Sequence, residues 1–426
     1  MYSTLIAHFA DTHVGVRPYG LEWCLEEILE HFKSSVEEAL KEGVDAIVFS
    51  GDLFDKPHPP NKALKTVIEA VHRAVDKGVR VYSILGEHDL PKVSDIPPQH
   101  LIPGLRVPFR DEVLTDCLTV SGVEYCISGV NHVPIKYSSS LKQRLLDNVK
   151  NATSRTGWRG VLMLHQSIAN FMEFEPGLEI SELPDKPMYI AMGHLHRRVK
   201  HRQSNGQIVA YPGSLDIIKR DEIEEWKQRG KGFYLVDLSG DEAVVHEVNV
   251  EVIPQEVVET NLQRLEKDVK EAVARLPRGK RSILHAIIWL KPSEKTDVSS
   301  RVRSIISMFS QNISVRIEKK YIEEKDVGRA HASGPVEEVE AIASRLGGSQ
   351  YRELAEKIYL LKQAVLEDDR DNIDRLIEEI AGHSYWSKVL KPPVIMLPET
   401  RESPTSRTPS SSDSGRKASS NIREAG

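Results

Sequence analysis

Five short segments end an apolar run with Asp, His or Glu, and side chains of these types at strand ends are suited to holding metal ions. They supply seven oxygen or nitrogen donors, namely Asp11, His13, Asp52, Glu87, His165, His194 and His196. None of the five segments contains a cysteine. Carboxylates and imidazoles without thiolates favour hard or borderline divalent ions over a zinc-finger type of site. The pattern therefore predicts a centre that binds two divalent ions.

Asp52 is the residue best placed to bridge two such ions. Two catalytic metal ions lie about 3.5 to 4 Å apart, and a carboxylate that touches both is the usual link. Asp52 follows Gly51, which allows a tight turn at the end of an apolar run. Asp11 and His13 are two residues apart, so both side chains can face one ion if the chain turns between them.

The elements that must position these residues alternate between strands and helices over the first 250 or so residues. Short apolar runs predict strands, and residues 22–41 carry an apolar stripe at four-residue steps that predicts a helix. Apolar strands with helices between them imply a sheet that is covered on both faces. Open α/β sheets bind ligands at the carboxyl ends of their strands. We therefore expect an α/β fold in which the five strand-end loops converge.

The arrangement of predicted strands and helices changes near Pro254. Residues 1–255 form the predicted dimetal domain, and residues 256–332 predict a small αβαβ unit. Residues 333–390 predict amphipathic helices that either pack back on the chain or dock to a partner. Residues 391–426 are rich in Ser, Pro and Thr with few apolar side chains, so we expect a disordered tail.

Charge and apolar content narrow the class of partner. The formal net charge is -6, yet residues 275–320 hold eleven Lys or Arg against three Asp or Glu. This basic segment fits either a solvated helix face or contact with nucleic-acid phosphates. No apolar run reaches the roughly 20 residues that a membrane-spanning helix needs, and the first residues lack a leader pattern. We expect no membrane association and a cytoplasmic location.

The cysteines favour the same compartment. Cys24, Cys117 and Cys126 are scattered and odd in number, without the spacing of a disulfide framework or a zinc site. We expect three buried thiols in a reducing compartment.

The order of the motifs DTHVG, GDLFD, GEHD, LH and GHLH resembles that of the calcineurin-like metallophosphoesterases. The longer stretches DTHVGVRPYG and GHLHRRV, followed by YPGS, resemble the double-strand-break repair nucleases called meiotic recombination eleven in archaea and eukaryotes and SbcD in bacteria. Motifs carry this resemblance over the first 250 or so residues, and only element order carries it beyond. The resemblance implies a layered α/β sandwich with a small αβ cap domain and C-terminal helices, in an archaeal member of the family.

The resemblance also implies a role for each site residue. One ion would be held by Asp11, His13, Asp52 and His196, and the other by Asp52, Glu87, His165 and His194, with Mn²⁺ as the expected metal. His88 would lie over the scissile phosphate and protonate the leaving oxygen, with Asp89 orienting its ring. An imidazole that titrates near neutral pH suits this task. A water activated by both ions would be the nucleophile.

The sequence departs from the family at Glu87, where relatives usually carry Asn. A carboxylate at this point would bind the ion more tightly but would repel the substrate phosphate more. Three interpretations remain open: a working carboxylate ligand, a weakening of activity, or a residue displaced from the metal shell. Asp55 stands where relatives carry His or Asp, and a helix N-cap or turn role is at least as expected there, so it stays outside the predicted site.

The resemblance implies a Mn²⁺-dependent DNA nuclease, an exonuclease acting 3′ to 5′ on duplex ends and an endonuclease on single strands or hairpins. DNA-backbone contacts are expected from Arg17, Arg197, Arg198, Lys200, Arg202 and Ser214. The expected partners are the coiled-coil ABC-type ATPase of the repair complex, bound through residues 333–390, and a second copy of the chain in a nucleoid-associated homodimer. The alternatives are a phosphatase or cyclic-nucleotide phosphodiesterase with the same metals, and a weakly active scaffold subunit.

Overall fold

The computed structural model describes residues 4–91, 95–172, 177–291, 298–307 and 312–321, together with residues 339–340, 342–344, 346, 348–366 and 370–385. Tertiary contacts divide the chain into two compact units, residues 1–324 and 325–426. The predicted disordered tail, residues 391–426, lies outside the described residues.

Two six-stranded sheets dominate the first unit. Their strands are β1 (Leu5–Phe9), β2 (Ala46–Ser50), β3 (Arg80–Ile84), β4 (Leu105–Arg106), β5 (Val113–Val120), β6 (Val123–Val130), β7 (Gly160–His165), β8 (Tyr189–Gly193), β9 (Val199–Arg202), β10 (Ile208–Tyr211), β11 (Gly232–Asp237) and β12 (Val244–Asn249). One sheet has the order β12-β11-β1-β2-β3-β4 and the other the order β5-β6-β7-β8-β10-β9. Each sheet has a parallel centre, β1-β2-β3 in the first and β6-β7-β8 in the second.

The two sheets pack face to face with helices outside them. Apolar side chains of β2 and β3, such as Val48 and Ile84, share one buried cluster with Met163 of β7. The helices α1 (Glu22–Lys41) and α2 (Asn61–Asp76) cover the outer face of the first sheet, and α3 (Ser139–Thr153) covers the second. The result is a helix–sheet–sheet–helix arrangement, which confirms the predicted layered α/β sandwich. The apolar stripe of α1 is its buried face, as the four-residue spacing predicted.

The helix α4 (Ile223–Arg229) precedes β11, and a smaller sheet follows β12. This sheet consists of β13 (Gln255–Asn261), β14 (Ser282–Leu290) and β15 (Ile313–Tyr321), all parallel, with α5 (Leu265–Arg275) and α6 (Val298–Ser307) packed on one face. The order is therefore βαβαβ, whereas the sequence predicted αβαβ. The first strand was missed because its residues, QEVVETN, include only two apolar side chains and it depends on pairing with β14.

The second unit contains a pair of helices, α7 (Arg352–Leu366) and α8 (Arg370–Ala381), which pack against each other. Ala355 of α7 contacts an apolar cluster with Val339 and Ala343. Leu360 and Ile377 are each 50% exposed. Both helices lie within the segment predicted to be helical. None of the helices in the described part of the chain is long and apolar enough to cross a membrane.

Two of the three cysteines are paired. Cys117 of β5 and Cys126 of β6 lie directly opposite each other in the antiparallel hairpin and form a disulfide. Cys24 is a buried thiol on α1. The prediction of three thiols is therefore wrong for Cys117 and Cys126, because strand register, which spacing alone does not reveal, brings their Cα atoms within 4.1 Å.

Candidate metal centre

The loops that follow the parallel strands meet at one edge of the sandwich. The loop after β1 runs beside the loop after β2, since the backbone N–H groups of Asp11 and His13 donate to the carbonyl oxygens of Gly51 (3.2 Å) and Asp52 (3.0 Å). Across the two sheets, the backbone N–H of His194 donates to both carboxylate oxygens of Asp11, each at 3.0 Å. The convergence expected at the carboxyl ends of the strands is therefore present.

Five of the seven predicted ligands belong to groups of three donors at this edge, each close enough together to hold one metal ion. Three groups each have donor atoms within 4.8 Å of one another: Asp11, His13 and His196; Asp11, Asp52 and His165; and His13, Asp52 and His88. The Oδ2 atom of Asp52 is 3.3 Å from Nε2 of His165 and 3.8 Å from Nε2 of His13. Asp52 thus lies between the two sets, where a bridging carboxylate would be needed.

The imidazoles at the centre are held with Nε2 pointing inward. Nδ1 of His165 donates to the carbonyl oxygen of Ser50 at 2.9 Å, and Nδ1 of His196 donates to Glu222 at 2.8 Å. The two Nε2 atoms of His13 and His196 are 3.1 Å apart. The buried Nε2 of His165 has no hydrogen-bond partner within the described part of the chain. This nitrogen faces Oδ2 of Asp52 at 3.3 Å, so a metal ion bound between them would take both atoms as ligands.

The backbone of the centre is strained. Four predicted ligands have a positive φ, namely Asp11 (49°), His13 (43°), Asp52 (49°) and His194 (100°). This left-handed region is unfavourable for residues with a Cβ, and such strain persists at functional sites when the surrounding structure enforces it. Asp52 has room for its side chain because residue 86 is a glycine. A Cβ on Gly86 would lie 2.1 Å from Oδ1 of Asp52.

Asp52 and His165 form a buried, charged pair. Burial raises the pKa of Asp52, but His165 and His13 outweigh this effect and hold the pKa well below its usual range. Burial lowers the pKa of His165, but Asp52 reverses this effect and raises the pKa to about 10. A metal ion requires the neutral imidazole, so binding at this point would release a proton.

Glu87 and His194 lie beside this cluster. Both line a small recess together with His132 and Lys136. The carboxylate of Glu87 has its Oε1 atom 3.4 Å from Nζ of Lys136 and belongs to none of the groups of convergent donors in the described residues. The three interpretations of Glu87 stay predictions, and in the metal-free chain its carboxylate lines the recess with His194 and pairs with Lys136.

His88 is exposed at the mouth of the centre. Its ring centroid is 4.7 Å from that of His13, and its backbone N–H donates to Oδ1 of Asp52 at 2.8 Å. Nδ1 of His88 donates to the backbone carbonyl oxygen of Asp55 at 2.9 Å, which leaves Nε2 directed away from this bond. Asp55, which the sequence analysis left aside, therefore orients the ring of His88.

Asp89 does not orient His88, so that prediction is wrong. Its carboxylate is fully buried and accepts hydrogen bonds from the backbone N–H groups of Leu53 (3.2 Å), Phe54 (3.0 Å) and Gly86 (2.9 Å). These bonds tie the loop after β2 to the loop after β3. A side chain that directly follows His88 in sequence points the other way, since the turn sends neighbouring side chains in different directions.

Comparison with known proteins decides the family. The family described as Calcineurin-like phosphoesterase matches residues 4–198. The DNA double-strand break repair protein Mre11 of Sulfurisphaera tokodaii is 31% identical, with 77% of this chain and 84% of the relative covered. This chain belongs to the Mre11 family. The Mre11 proteins of Methanocaldococcus jannaschii (34% identity, 65% of this chain and 74% of the relative) and Sulfolobus acidocaldarius (27%, 88% and 98%) are similar to it as well.

Membership of the Mre11 family confirms the resemblance seen in the motifs. The chain carries a metal-dependent phosphodiesterase domain that includes residues 4–198, and the cluster around Asp52 is its candidate divalent-metal site. Carboxylate and imidazole donors without a thiolate agree with that class of enzyme.

Glu222 and Lys231 support the centre, and the sequence analysis missed both. Glu222 accepts from Nδ1 of His196, and Nζ of Lys231 donates to Glu222 (2.6 Å), to Oγ of Ser214 (2.6 Å) and to the carbonyl oxygen of His196 (2.8 Å). Burial raises the pKa of Glu222, but His196 and Lys231 lower it to about 2, so the carboxylate stays ionised. No strand-end motif marks these two residues, which lie 26 and 35 positions after His196.

Replacing Glu222 with Gln is expected to weaken Mn²⁺ binding by about 10- to 100-fold, the usual cost of losing a partner that orients a ligating histidine. The amide keeps the shape but loses the charge that faces His196 and Lys231. Titration calorimetry with Mn²⁺ measures the effect, and Glu224→Gln on the exposed face of α4 is the matched control. Equal Mn²⁺ affinity in Glu222→Gln and wild type, with both folded by circular dichroism, would show that Glu222 does not position His196.

Two of the six predicted DNA contacts are wrong. Arg198 is 3% exposed and donates to Asn249 (2.6 Å), Glu247 (3.2 Å) and the carbonyl oxygen of Arg229 (2.8 Å). Ser214 is fully buried in the Lys231 network. A run of basic residues in the sequence does not show which of their side chains is buried. The other four predicted contacts are exposed, and each side chain has a partner within the protein. Arg17 pairs with Glu22, Lys200 with Glu247 and Arg202 with Glu242, and Arg197 donates to the carbonyl oxygen of Phe171.

Arg198→Ala is expected to lower the free energy of unfolding by about 3 kcal/mol, because the buried guanidinium donates to Arg229, Val248 and Asn249 and its removal leaves these acceptors without that donor. Arg202→Ala, which removes an exposed partner of Glu242, is expected to change the stability far less, because water screens an exposed ion pair. Urea unfolding followed by circular dichroism compares the two. If Arg198→Ala is as stable as Arg202→Ala, the buried role of Arg198 is refuted.

Proposed function

We propose that this chain is a Mn²⁺-dependent DNA nuclease of double-strand-break repair. It removes nucleotides from the 3′ strand of duplex ends and cuts single strands or hairpins internally. The observation that carries this proposal is the convergence of two aspartates and three histidines around Asp52, in a chain whose relatives are named DNA double-strand break repair proteins.

Two divalent ions fit the donors that the fold brings together. Asp11, His13, Asp52 and His196 would hold one ion, and Asp52, His165 and His194, with Glu87 once it turns inward, would hold the other. Oxygen and imidazole donors suit Mn²⁺. When bound, two such ions neutralise phosphate charge and make a water nucleophilic at neutral pH.

The chain's own residues complete the chemistry. His88 is exposed at the mouth of the centre and is oriented by the carbonyl oxygen of Asp55, so its Nε2 atom is available to a substrate. In this role it donates a proton to the departing oxygen. Asp89 holds the two loops that carry Asp52 and His88, and so fixes their separation.

The proposed partners each have a candidate surface. Arg17, Arg197, Lys200 and Arg202 are placed for DNA phosphates, and the three-stranded sheet with its basic segment is proposed as the cap over DNA. The exposed Leu360 and Ile377 are proposed to dock the coiled-coil ATPase, in the predicted helical segment 333–390. Ile96, Leu101 and Phe109, which are 54%, 64% and 41% exposed, are proposed as the homodimer contact of a nucleoid-associated complex.

Cleavage assays with defined substrates test the proposal. Purified protein is incubated with Mn²⁺, Mg²⁺ or chelator and with duplex, single-stranded or hairpin DNA labelled at either end. We expect Mn²⁺-dependent release from 3′ strands and internal cuts in unpaired DNA. Turnover of small phosphoesters without DNA cleavage would support the phosphatase alternative instead. Binding of the ATPase without any cleavage at high Mn²⁺ would support the scaffold alternative.

A further inference from the structure

A short segment at the rim of the metal centre carries a cation and an exposed aromatic ring. The segment Ile135–Tyr137 forms one helical turn after β6, and its side chains Ile135 and Lys136 line the same recess as Glu87 and His194. Tyr137 is 74% exposed, and Nζ of Lys136 lies 5.4 Å from the centroid of its ring. We refer to Ile135–Tyr137 as the rim segment.

The composition of the rim segment is that of a nucleic-acid contact. A cation binds the phosphate backbone, and an exposed aromatic ring stacks on an unpaired base whatever its identity. Core packing does not account for Tyr137, which is largely exposed and is not among the side chains of the apolar clusters in the described residues. The sequence analysis did not identify the rim segment, because the feature that stands out near it in the sequence is the apolar run of the preceding strand.

The resting partner of Lys136 is a residue of the metal centre. Its Nζ atom is 3.4 Å from Oε1 of Glu87, with side chains 35% and 45% exposed respectively. If Glu87 ligates the second ion, Lys136 and that ion would compete for the same carboxylate. When Glu87 turns toward the ion, the flexible four-carbon stem of Lys136 leaves its ammonium at the mouth of the centre.

This arrangement also addresses the extra charge at Glu87. The carboxylate of Glu87 places one negative charge next to the phosphate that is to be cut. Lys136 supplies one positive charge at contact distance from it. The pair is therefore neutral toward an incoming phosphate, as a single amide would be.

We propose that the rim segment is a DNA-binding subsite in which Lys136 contacts a backbone phosphate beside the scissile one, Tyr137 stacks on an unpaired base, and Glu87 exchanges Lys136 for the second metal ion. The inference rests on the proposed nuclease function and names the residues by which unpaired DNA would be recognised. If the proposal is right, replacing Lys136 with Ala tightens metal binding and weakens DNA binding.

Lys136→Ala, Lys136→Arg and Tyr137→Ala test the subsite in the full-length chain. Lys150→Ala is the matched control, since Lys150 is exposed near the far end of α3, about 15 Å along the helix from its start. Mn²⁺ affinity is measured by calorimetry without DNA. Affinity for a single-stranded oligonucleotide is measured with Ca²⁺ over a series of salt concentrations.

Lys136→Ala is expected to tighten Mn²⁺ binding by up to about fivefold, the range of an exposed ion pair that no longer competes for Glu87. The same substitution is expected to weaken DNA binding and to reduce the slope of log affinity against log salt by about 1. Lys136→Arg retains the salt slope, Tyr137→Ala weakens binding of single strands more than of blunt duplex, and Lys150→Ala changes neither property.

Glu87→Asn shows whether the two residues act as a pair. In that background Lys136→Ala should leave Mn²⁺ affinity unchanged, because no carboxylate remains to be released. A wild-type salt slope in Lys136→Ala, in a protein that still binds and cuts DNA, overturns the subsite alone. Weaker rather than tighter Mn²⁺ binding in Lys136→Ala overturns the exchange. A wild-type chain that neither binds nor cuts DNA overturns the proposed nuclease function itself.

Discussion

Asp52→Asn is expected to reduce DNA cleavage by at least about 10³-fold, because this one carboxylate would serve both positions of the proposed two-metal site. Its Oδ2 atom lies 3.3 Å from Nε2 of His165 and 3.8 Å from Nε2 of His13, and its Oδ1 atom accepts from the backbone of His88. The side-chain amide of Asn has one uncharged oxygen, so it cannot bridge two cations as a carboxylate does. The substitution removes charge and keeps volume, which isolates the electrostatic effect from packing.

Metal-dependent stabilisation gives a second measurement for Asp52→Asn. Wild type should gain about 2.7 kcal/mol of stability when free Mn²⁺ is 100 times its dissociation constant. Thermal melts with Mn²⁺ and with chelator measure this gain, which should be nearly lost in Asp52→Asn. Asp76→Asn, an exposed aspartate at the end of α2, is the control with the same change in charge. A full Mn²⁺-dependent rise in the melting temperature of Asp52→Asn would refute a shared carboxylate at this position.

The metal-free protein should show a related dependence on pH. The pKa of Asp52 is depressed in the folded chain, so its ionisation contributes stability above the unfolded pKa, and this contribution is lost as the pH falls toward the folded value. The pKa of His165 is raised to about 10, so its protonation contributes stability below its unfolded pKa of about 6.5, and this contribution is lost as the pH rises toward 10. These two groups act at opposite ends of the pH range, and between them the charged pair is intact.

The fold could be predicted where burial dictates the residue types. Strands such as AIVFS are buried on both faces, so each position must be apolar or small, and the apolar run is visible in the sequence. The ends of such strands are visible for the same reason, and parallel strands place them at one edge. That is why the sequence alone predicts that Asp11, Asp52 and His165 lie close together. By contrast, β13 is largely polar and forms because β14 offers it a partner.

The remainder of the site depends on side-chain direction and register, which spacing does not encode. Asp89 directly follows His88, yet its carboxylate points into the protein to accept three backbone N–H groups. Arg198 lies in a basic run, yet it is the one arginine there that is buried. Glu222, which directly precedes α4, contacts His196 because the chain returns there to the loop that carries the GHLH motif. Each of these outcomes is set by tertiary contacts of residues far apart in sequence.

His88→Ser is expected to reduce cleavage of DNA by about 10²- to 10⁴-fold, the usual contribution of a positioned general acid, and to leave Mn²⁺ affinity nearly unchanged. Both possible roles of His88 are visible in the structure. Its donor atoms lie within 4.8 Å of those of His13 and Asp52, as a ligand's would. Its ring is also exposed and held by the carbonyl oxygen of Asp55, as a proton donor's would be.

The leaving group separates these two roles. A nucleotide p-nitrophenyl ester releases an anion that departs without a proton, so loss of a general acid should slow its hydrolysis far less than that of DNA. Loss of a metal ligand should slow both substrates alike and weaken Mn²⁺ binding in calorimetry. His58→Ser, at an exposed histidine in the loop after β2, is the control. Equal losses on the two substrates would make His88 a ligand, and the second metal position would then be built from His13, Asp52 and His88 instead of from Glu87 and His194.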